Sequence, residues 1–554
     1  MRSTFAIAAV IVGIGVAGLA IRSNLQTPAG GVSVRQAAYL KASNAEAGDH
    51  FGCGGVLQGH TGQGIAMSAD GMTLAVGAPH EGSAAPGING SQSDNSLFDA
   101  GAVYVFTRQA DAWVQQAYVK PSNPQTGAEF GHYVALSADG HTLAVSAHWE
   151  ASGATGVNGN QKDESIPQAG AVYVFTRRGD QWAQQAYIKA SNTGEAGTAD
   201  TFGEGDQFGF SIAVSGDGNT LAVGALTEDS ASSTNQADNS AQSAGAVYVF
   251  TRANNAWAQQ AYLKPSNIDP GDMFGYSVSL AADGSTLAVG SFDEDGSGRG
   301  VNPAPDNRRG GSGAAYIFVR EGGAWSQQAY LKASNGETQD SFGVQVAISD
   351  DGATLLVGTL DEDCKATGVN AAGCDDDWED DLSMGAAYVF VRTGTTWSQQ
   401  AFLKPSNTGV NDWFGSRLAL SGDGNTLAIG AALEDSAARG IDGPQNDESA
   451  GEAGVVYLFS RAGGTWTQRA YIKGANTEAF DEFGSSLALD RNGGTLAVSA
   501  RGEDGAARGT ERREDVPAGS VNGNEADNSA AEAGAAYVFE IPSYGASGSS
   551  RTDR

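Results

Sequence analysis

The chain has 554 residues and a formal net charge of -32, with 64 acidic against 32 basic residues. An acidic surface repels phosphate, so nucleic acid and anionic membrane surfaces are excluded as partners, whereas cations and cationic surfaces are favoured. Its 78 glycines point to many turns, and its length is explained by internal repetition rather than by several unrelated domains.

In chain order, residues 5–21 form the apolar run FAIAAVIVGIGVAGLAI behind Met1-Arg2-Ser3-Thr4. Residues 1–21 read as a secretory signal cut after Ala20 or, uncleaved, as an N-terminal anchor, the one membrane contact expected. No cysteine follows the run, so a lipid anchor is not expected. Residues 22–35 read as a linker. From Gln36 the chain is repetitive. Phe-Gly opens a unit at Phe51, Phe130, Phe208, Phe274, Phe342, Phe414 and Phe483, at spacings of 66 to 79 residues.

Each unit predicts four strands. The first follows Phe-Gly and ends at an Asp-Gly turn such as Asp139-Gly140, a tight hairpin signal. The second is TLAVGA. The third is GAVYVF, around Tyr104, Tyr173, Tyr248, Tyr316, Tyr388, Tyr457 and Tyr537. The fourth is WxQQAYLK, from Trp113, Trp182, Trp257, Trp325, Trp397 and Trp466. β-branched and aromatic residues dominate and no helical period appears. These strands are apolar on both faces, so each sheet needs cover on both sides. Seven four-stranded antiparallel sheets around an axis meet that need, an all-β seven-bladed propeller. A linear solenoid would need end caps, and none is visible. The last unit stops at GAAYVFE (534–540) without a fourth strand, and QAAYLKASN (36–44) supplies one without its first three. The two fragments are expected to pair and close the ring over residues 36–540, followed by a polar tail, 541–554.

The phrase resembles the FG-GAP repeat of integrin α-subunit propellers and bacterial exported proteins; unit one reads Phe51-Gly52 and then Gly77-Ala78-Pro79. The resemblance implies a seven-bladed propeller and a role in adhesion or ligand binding. Calcium-binding members carry a D-x-D-x-D-G-like loop between the first two strands. Here that loop is only SADG, SGDG, AADG or SDDG, and in unit seven Arg491-Asn492-Gly493-Gly494, which is turn chemistry.

Strand direction puts the second-to-third-strand loops and the links between blades on one face, here the top. Glu81, Glu150, Glu228, Glu294, Glu362, Glu434 and Glu503 share one offset after the second strand, and Asp follows in five units. A further Asp precedes Phe by two residues in six units, and Lys41, Lys120, Lys189, Lys264, Lys332, Lys404 and Lys473 end the fourth strands. Two readings stay open: a sevenfold structural network of Lys with carboxylates, or Ca²⁺ in the top loops. The calcium candidates are Asp293, Glu294 and Asp295; Asp361, Glu362 and Asp363; and Asp375, Asp376 and Asp377 within DDDWEDD. The loop phrase GINGSQSDNS and its relatives supply either left-handed turns or calcium oxygens.

Cys364 and Cys374 flank KATGVNAAG and are expected to form a disulfide in an oxidising compartment, the alternative being two free thiols; Cys53 is odd. All six histidines precede residue 150: His50, His80, His132 and His148 map to the top of the first two blades, His60 to an insertion, and His141 to the bottom. Arg178-Gly179-Asp180 falls in an ordinary turn. No nucleophile elbow, phosphate loop or dinucleotide fingerprint appears.

The reading is an exported monomer, periplasmic, secreted or on the cell surface, that binds a protein or glycan through its acidic top face with calcium as a stiffener. The rival is an exported hydrolase or lyase working in the top-centre funnel; a third reading is assistance in assembling other envelope proteins.

Overall fold

The computed structural model describes residues 33–53, 62–194, 205–374, 382–505 and 527–542. The expected leader, most of the linker, the tail beyond residue 542, His60 and Asp375–Asp377 lie outside them. Among the described residues the elements are strands, and no helix is long and apolar enough to cross a membrane.

From Val34 onward the chain makes seven sheets, each ordered first to fourth strand from the axis outward. Blade 1 is Ile65–Met67, Thr73–Ala78, Ala102–Gln109 and Ala112–Val119. The later blades repeat it, and blade 7 is closed by the N-terminal strand Arg35–Leu40 pairing antiparallel with Ala535–Glu540, Tyr39 opposite Tyr537. The expected closure is therefore the one observed. Every second strand, such as Thr220–Ala225, is buried throughout, as sheets covered on both faces require. Each of seven apolar clusters joins one blade to the next, the last joining blade 7 to blade 1 through Leu40, Phe51, Leu74, Tyr104 and Val538.

Why Phe-Gly recurs is visible at the blade junctions. Phe130 puts its ring on Tyr173 and Phe175 of its own blade, at centroid distances of 5.5 and 6.0 Å. Its backbone meanwhile lies on blade 1: a Cβ on Gly101 would stand 2.0 Å from the Phe130 carbonyl oxygen, and one on Gly77 2.0 Å from that of Gly131. The glycines of the second and third strands thus make room for the next unit's Phe-Gly. The same meeting recurs at Gly245 with Phe274 and, across the closure, at Gly534 with Phe51.

Lower on the rim, the tryptophans do comparable work. Trp182 Nε1 donates to Gln116 Oε1 of the previous blade at 2.9 Å, and Arg177 lies 5.5 Å over the indole. Four later blades repeat the Arg–Trp stack. The Asp-Gly turns are structural: Asp70 Oδ1 accepts from Ser68 Oγ and from the Met72 amide, with Gly71 at φ 68°.

One element was not foreseen. In blade 4 a fifth strand, Gly300–Val301, pairs with Leu331 and Lys332 on the outer edge. Blades 1, 2, 5 and 6 have a single bridge there, as Ile88 with Val119. These residues belong to the GINGSQSDNS phrase. Asn89 takes φ 54°, and its Oδ1 accepts the Tyr118 amide at 2.9 Å. The phrase therefore builds left-handed turns that cover an otherwise open sheet edge.

If glycine is demanded by the neighbouring backbone and not by φ alone, two substitutions separate the effects. Gly271→Ala (φ 90°, nothing within 4 Å of the new Cβ) should cost about 1–2 kcal/mol from left-handed strain. Gly245→Ala (φ 77°, Cβ 2.2 Å from the Phe274 oxygen) should cost at least about 3 kcal/mol in denaturant unfolding.

Candidate functional site

The top face gathers the residues singled out in the sequence, and it uses most of them to build the ring. Glu81 Oε2 accepts from Lys120 Nζ at 2.8 Å, with both side chains buried. The pair recurs as Glu150–Lys189, Glu228–Lys264, Glu294–Lys332, Glu362–Lys404, Glu434–Lys473 and, across the closure, Glu503–Lys41. The other carboxylate oxygen accepts from an asparagine of the link that enters from the previous blade: Asn44 Nδ2 to Glu81 at 3.1 Å, Asn267 to Glu294 at 2.8 Å, Asn476 to Glu503 at 3.1 Å. That asparagine's oxygen accepts a third-strand tyrosine hydroxyl, as Tyr104 to Asn44 and Tyr537 to Asn476. In four blades a fourth-strand tyrosine adds a donor, such as Tyr330 to Glu294 at 2.7 Å. The Gly296 amide completes Glu294 at 3.0 Å.

Of the two readings of these carboxylates, the geometry is that of a structural latch, buried rather than displayed. The expectation of an openly acidic display is corrected for the seven glutamates. Glu294 and Glu362, two of the calcium candidates, have their oxygens engaged by lysine and asparagine. The aspartate after the Glu caps the returning loop: Asp295 Oδ1 accepts the Gly311 amide, and Asp363 Oδ1 those of Leu382 and Ser383. Asp361 accepts the Ser341 and Ser383 hydroxyls. Burial, then the Asp295 charge, pushes Asp293 up to about 6. Cys364 and Cys374 are joined by a disulfide, with Cα atoms 5.0 Å apart. Cys53 is buried. Exposed acids sit farther out in the loops, at Asp94, Glu164, Asp447, Glu448 and Glu452.

The centre of the top face does not repeat. The residue just after Phe-Gly is Cys53, His132, Phe210, Tyr276, Val344, Ser416 or Ser485 in blades 1 to 7. Blades 3 to 6 contribute an apolar group, Phe210, Leu226, Met273, Tyr276, Val344 and Leu360 with Phe292 and Trp413. Blade 7 contributes the Arg501–Glu482 pair. Buried Arg417 of blade 6 donates to the Ser485 and Ser416 carbonyls. Gln345 Nε2 reaches across to Gln63 Oε1 at 3.1 Å. On the axis the first strands of all seven blades line a cavity of about 230 Å³. Two of the top histidines, His132 and His148, converge with blade 2's Glu129, which the sequence reading did not single out. His80 Nδ1 lies 2.9 Å from Asp99 Oδ1, the His50 and His80 rings are 4.9 Å apart, and the His132 and His148 rings 4.0 Å.

The aspartates before Phe are proton-binding. Burial raises Asp272 to about 9, Asp340 to about 8, and Asp49, Asp412 and Asp481 to about 7, with a nearby latch glutamate adding to each. Each holds its proton more tightly folded than unfolded, so from about pH 4 to about 7 the native state carries more protons and stability falls as pH rises. Burial lowers His50 to about 4, which opposes the trend. The melting temperature should be higher near pH 5 than near pH 8. Asp412→Asn, which keeps an acceptor for the Gly409 amide, should flatten the slope.

A family model described as FG-GAP repeat matches residues 113–175, 257–318, 325–390 and 397–459. Each match runs from the outer strand of one blade through the third strand of the next. No curated protein sequence matches the chain. Among solved structures, Kuenenia stuttgartiensis hydrazine synthase is 13% identical, with a TM-score of 0.40 over 80% of this chain and 94% of that one. A 6-phosphogluconolactonase, so described, from Bacteroides fragilis is 12% identical, with a TM-score of 0.42 over 74% and 83%. The Cps50 (Swd1) β-propeller domain of Myceliophteria thermophila is 9% identical, with a TM-score of 0.43 over 87% and 97%. At these scores the likenesses carry nothing about function. The four repeat matches and the seven closed blades together make this chain an FG-GAP repeat protein, a seven-bladed β-propeller.

Proposed function

We propose that the protein is an exported binding scaffold that recognises a protein or glycan partner through its top face. One observation carries the reading. The side chains that repeat seven times are consumed by the ring, whereas the top-face loops beyond the latch project exposed carboxylates at Asp94, Glu164, Asp447 and Glu448. A rigid frame that presents varied loops on one face suits recognition. The acid there gives a long-range preference for cationic partners that weakens as salt rises. FG-GAP propellers are often extracellular, which agrees with the apolar run at residues 5–21. Calcium enters this reading at Asp293 with Asp295, where a divalent cation relieves the repulsion that helps raise Asp293. Chelation followed by Ca²⁺ addition should then raise the melting temperature; an unchanged one removes calcium.

A second reading, an exported hydrolase or lyase acting at the top centre, is favoured by the break in sevenfold repetition there. The two differ in outcome. Neutralising Asp94, Glu164, Asp447 and Glu448 together to Asn or Gln should abolish capture of the surface partner by the purified propeller and leave its melting temperature within about 2 °C. The bottom-face pair Met72→Ser and His141→Ala should leave capture unchanged. Capture that survives the loop changes, or that fails with the bottom-face pair, contradicts binding through these loops.

A further inference from the structure

The sharpest departure from sevenfold repetition is in blade 2, at three positions that the repeat fixes around the top of the axis. These are the residue before Phe-Gly, the residue after it, and the residue two before the latch glutamate. Blade 3 has Gln207, Phe210 and Leu226 there; blade 2 has Glu129, His132 and His148.

Their donor atoms all lie within 4.8 Å of one another, and all three residues are buried. Glu129 Oε2 is 3.6 Å from His132 Nδ1 and 3.9 Å from His148 Nε2. Two ligands, each about 2.1 Å from one tetrahedral ion, stand roughly 3.4 Å apart, and both carboxylate–imidazole separations exceed that by only a few tenths of an ångström. A second observation points the same way. His132 is 2% exposed, yet among the described residues neither of its ring nitrogens has a hydrogen-bond partner. Buried polar atoms ordinarily have one, and a bound cation supplies it.

The group is also held in place. The His132 ring packs on His148 and lies 5.7 Å from the Phe210 ring, which is 5.8 Å from His148. Glu129 sits at φ 51°, with its amide donating to the Asp99 carbonyl and its own carbonyl accepting the His132 amide. Blade 2 has Ala128 where six blades place the proton-binding aspartate, so Glu129 is the carboxylate of this junction.

We propose that Glu129, His132 and His148 bind one first-row transition-metal dication of the zinc class, leaving at least one coordination position for an exogenous ligand. Two imidazoles with one carboxylate suit such an ion, whereas Ca²⁺ and Mg²⁺ take all-oxygen sets. The site stands apart from the carboxylates of the loops and does not depend on which partner they meet.

The test uses the full chain freed of metal by chelation. Calorimetric titration with Zn²⁺ should show one ion per chain and a raised melting temperature. Co²⁺ should give a visible ligand-field spectrum that Zn²⁺ abolishes. His132→Ala, His148→Ala and Glu129→Gln should each weaken Zn²⁺ binding at least tenfold, while His141→Ala on the opposite face changes nothing. X-ray absorption on the Zn²⁺-loaded wild type needs no variant and should show imidazole scattering with nitrogen at about 2.0–2.1 Å. Three results would overturn the proposal: no stoichiometric uptake, uptake unchanged when both histidines are replaced, or a bound ion without imidazole neighbours.

Discussion

Seven carboxylates taken out of water hold this ring in register. Each latch glutamate accepts from a lysine of its own blade and from an asparagine that arrives from the blade before. A buried ion pair is not stabilising by default, because desolvation offsets the attraction. Its effect lies in what is left when one partner is missing: an uncompensated charge among tyrosines. Burial lowers every one of the seven lysines, and in each case the charge of the paired glutamate opposes that shift most strongly. The pair therefore has a strict geometric requirement. Strand four, the second-to-third loop and the incoming link must all arrive together.

That requirement explains the offset between the sequence unit and the blade. An asparagine placed just after one outer strand is used by the following blade, as is the Phe-Gly that comes next. The chain is thus tied forward at every junction by a latch above and a glycine contact beside it. The N-terminal strand completes the pattern, since Lys41 pairs with Glu503 and Asn44 with Glu81 on either side of the closure. A ring built this way leaves no sheet edge at the seam, and in blades 1, 2, 4, 5 and 6 the outer edge is paired by the returning loop.

The architecture was legible in the sequence because it rests on local signals that repeat: Phe-Gly, Asp-Gly, strands apolar on both faces, and terminal fragments that add to one blade. Lys332 and Glu294 were legible as partners, but their burial was not. A charged residue at a fixed offset looks the same whether it faces water or a tyrosine hydroxyl, and the Tyr330 hydroxyl reaches Glu294 from 36 residues away in the chain. Cys364 and Cys374 were readable because one short loop carries both. Glu129 was missed, since it looks like one more acid in an acidic link. Its meeting with His132 and His148 depends on the left-handed turn before Phe130, which no period in the sequence announces. The fifth strand of blade 4 was hidden for a related reason: its residues read as turn formers and pair only through a distant edge.

The most direct measurement of the latch is a double-mutant cycle on Glu434 and Lys473, which are 2.7 Å apart and buried. Glu434→Gln and Lys473→Met should each cost about 3–5 kcal/mol in equilibrium unfolding, and the double variant clearly less than their sum. Near-neutral single variants, or costs that simply add, would contradict the latch as the interaction that sets the ring.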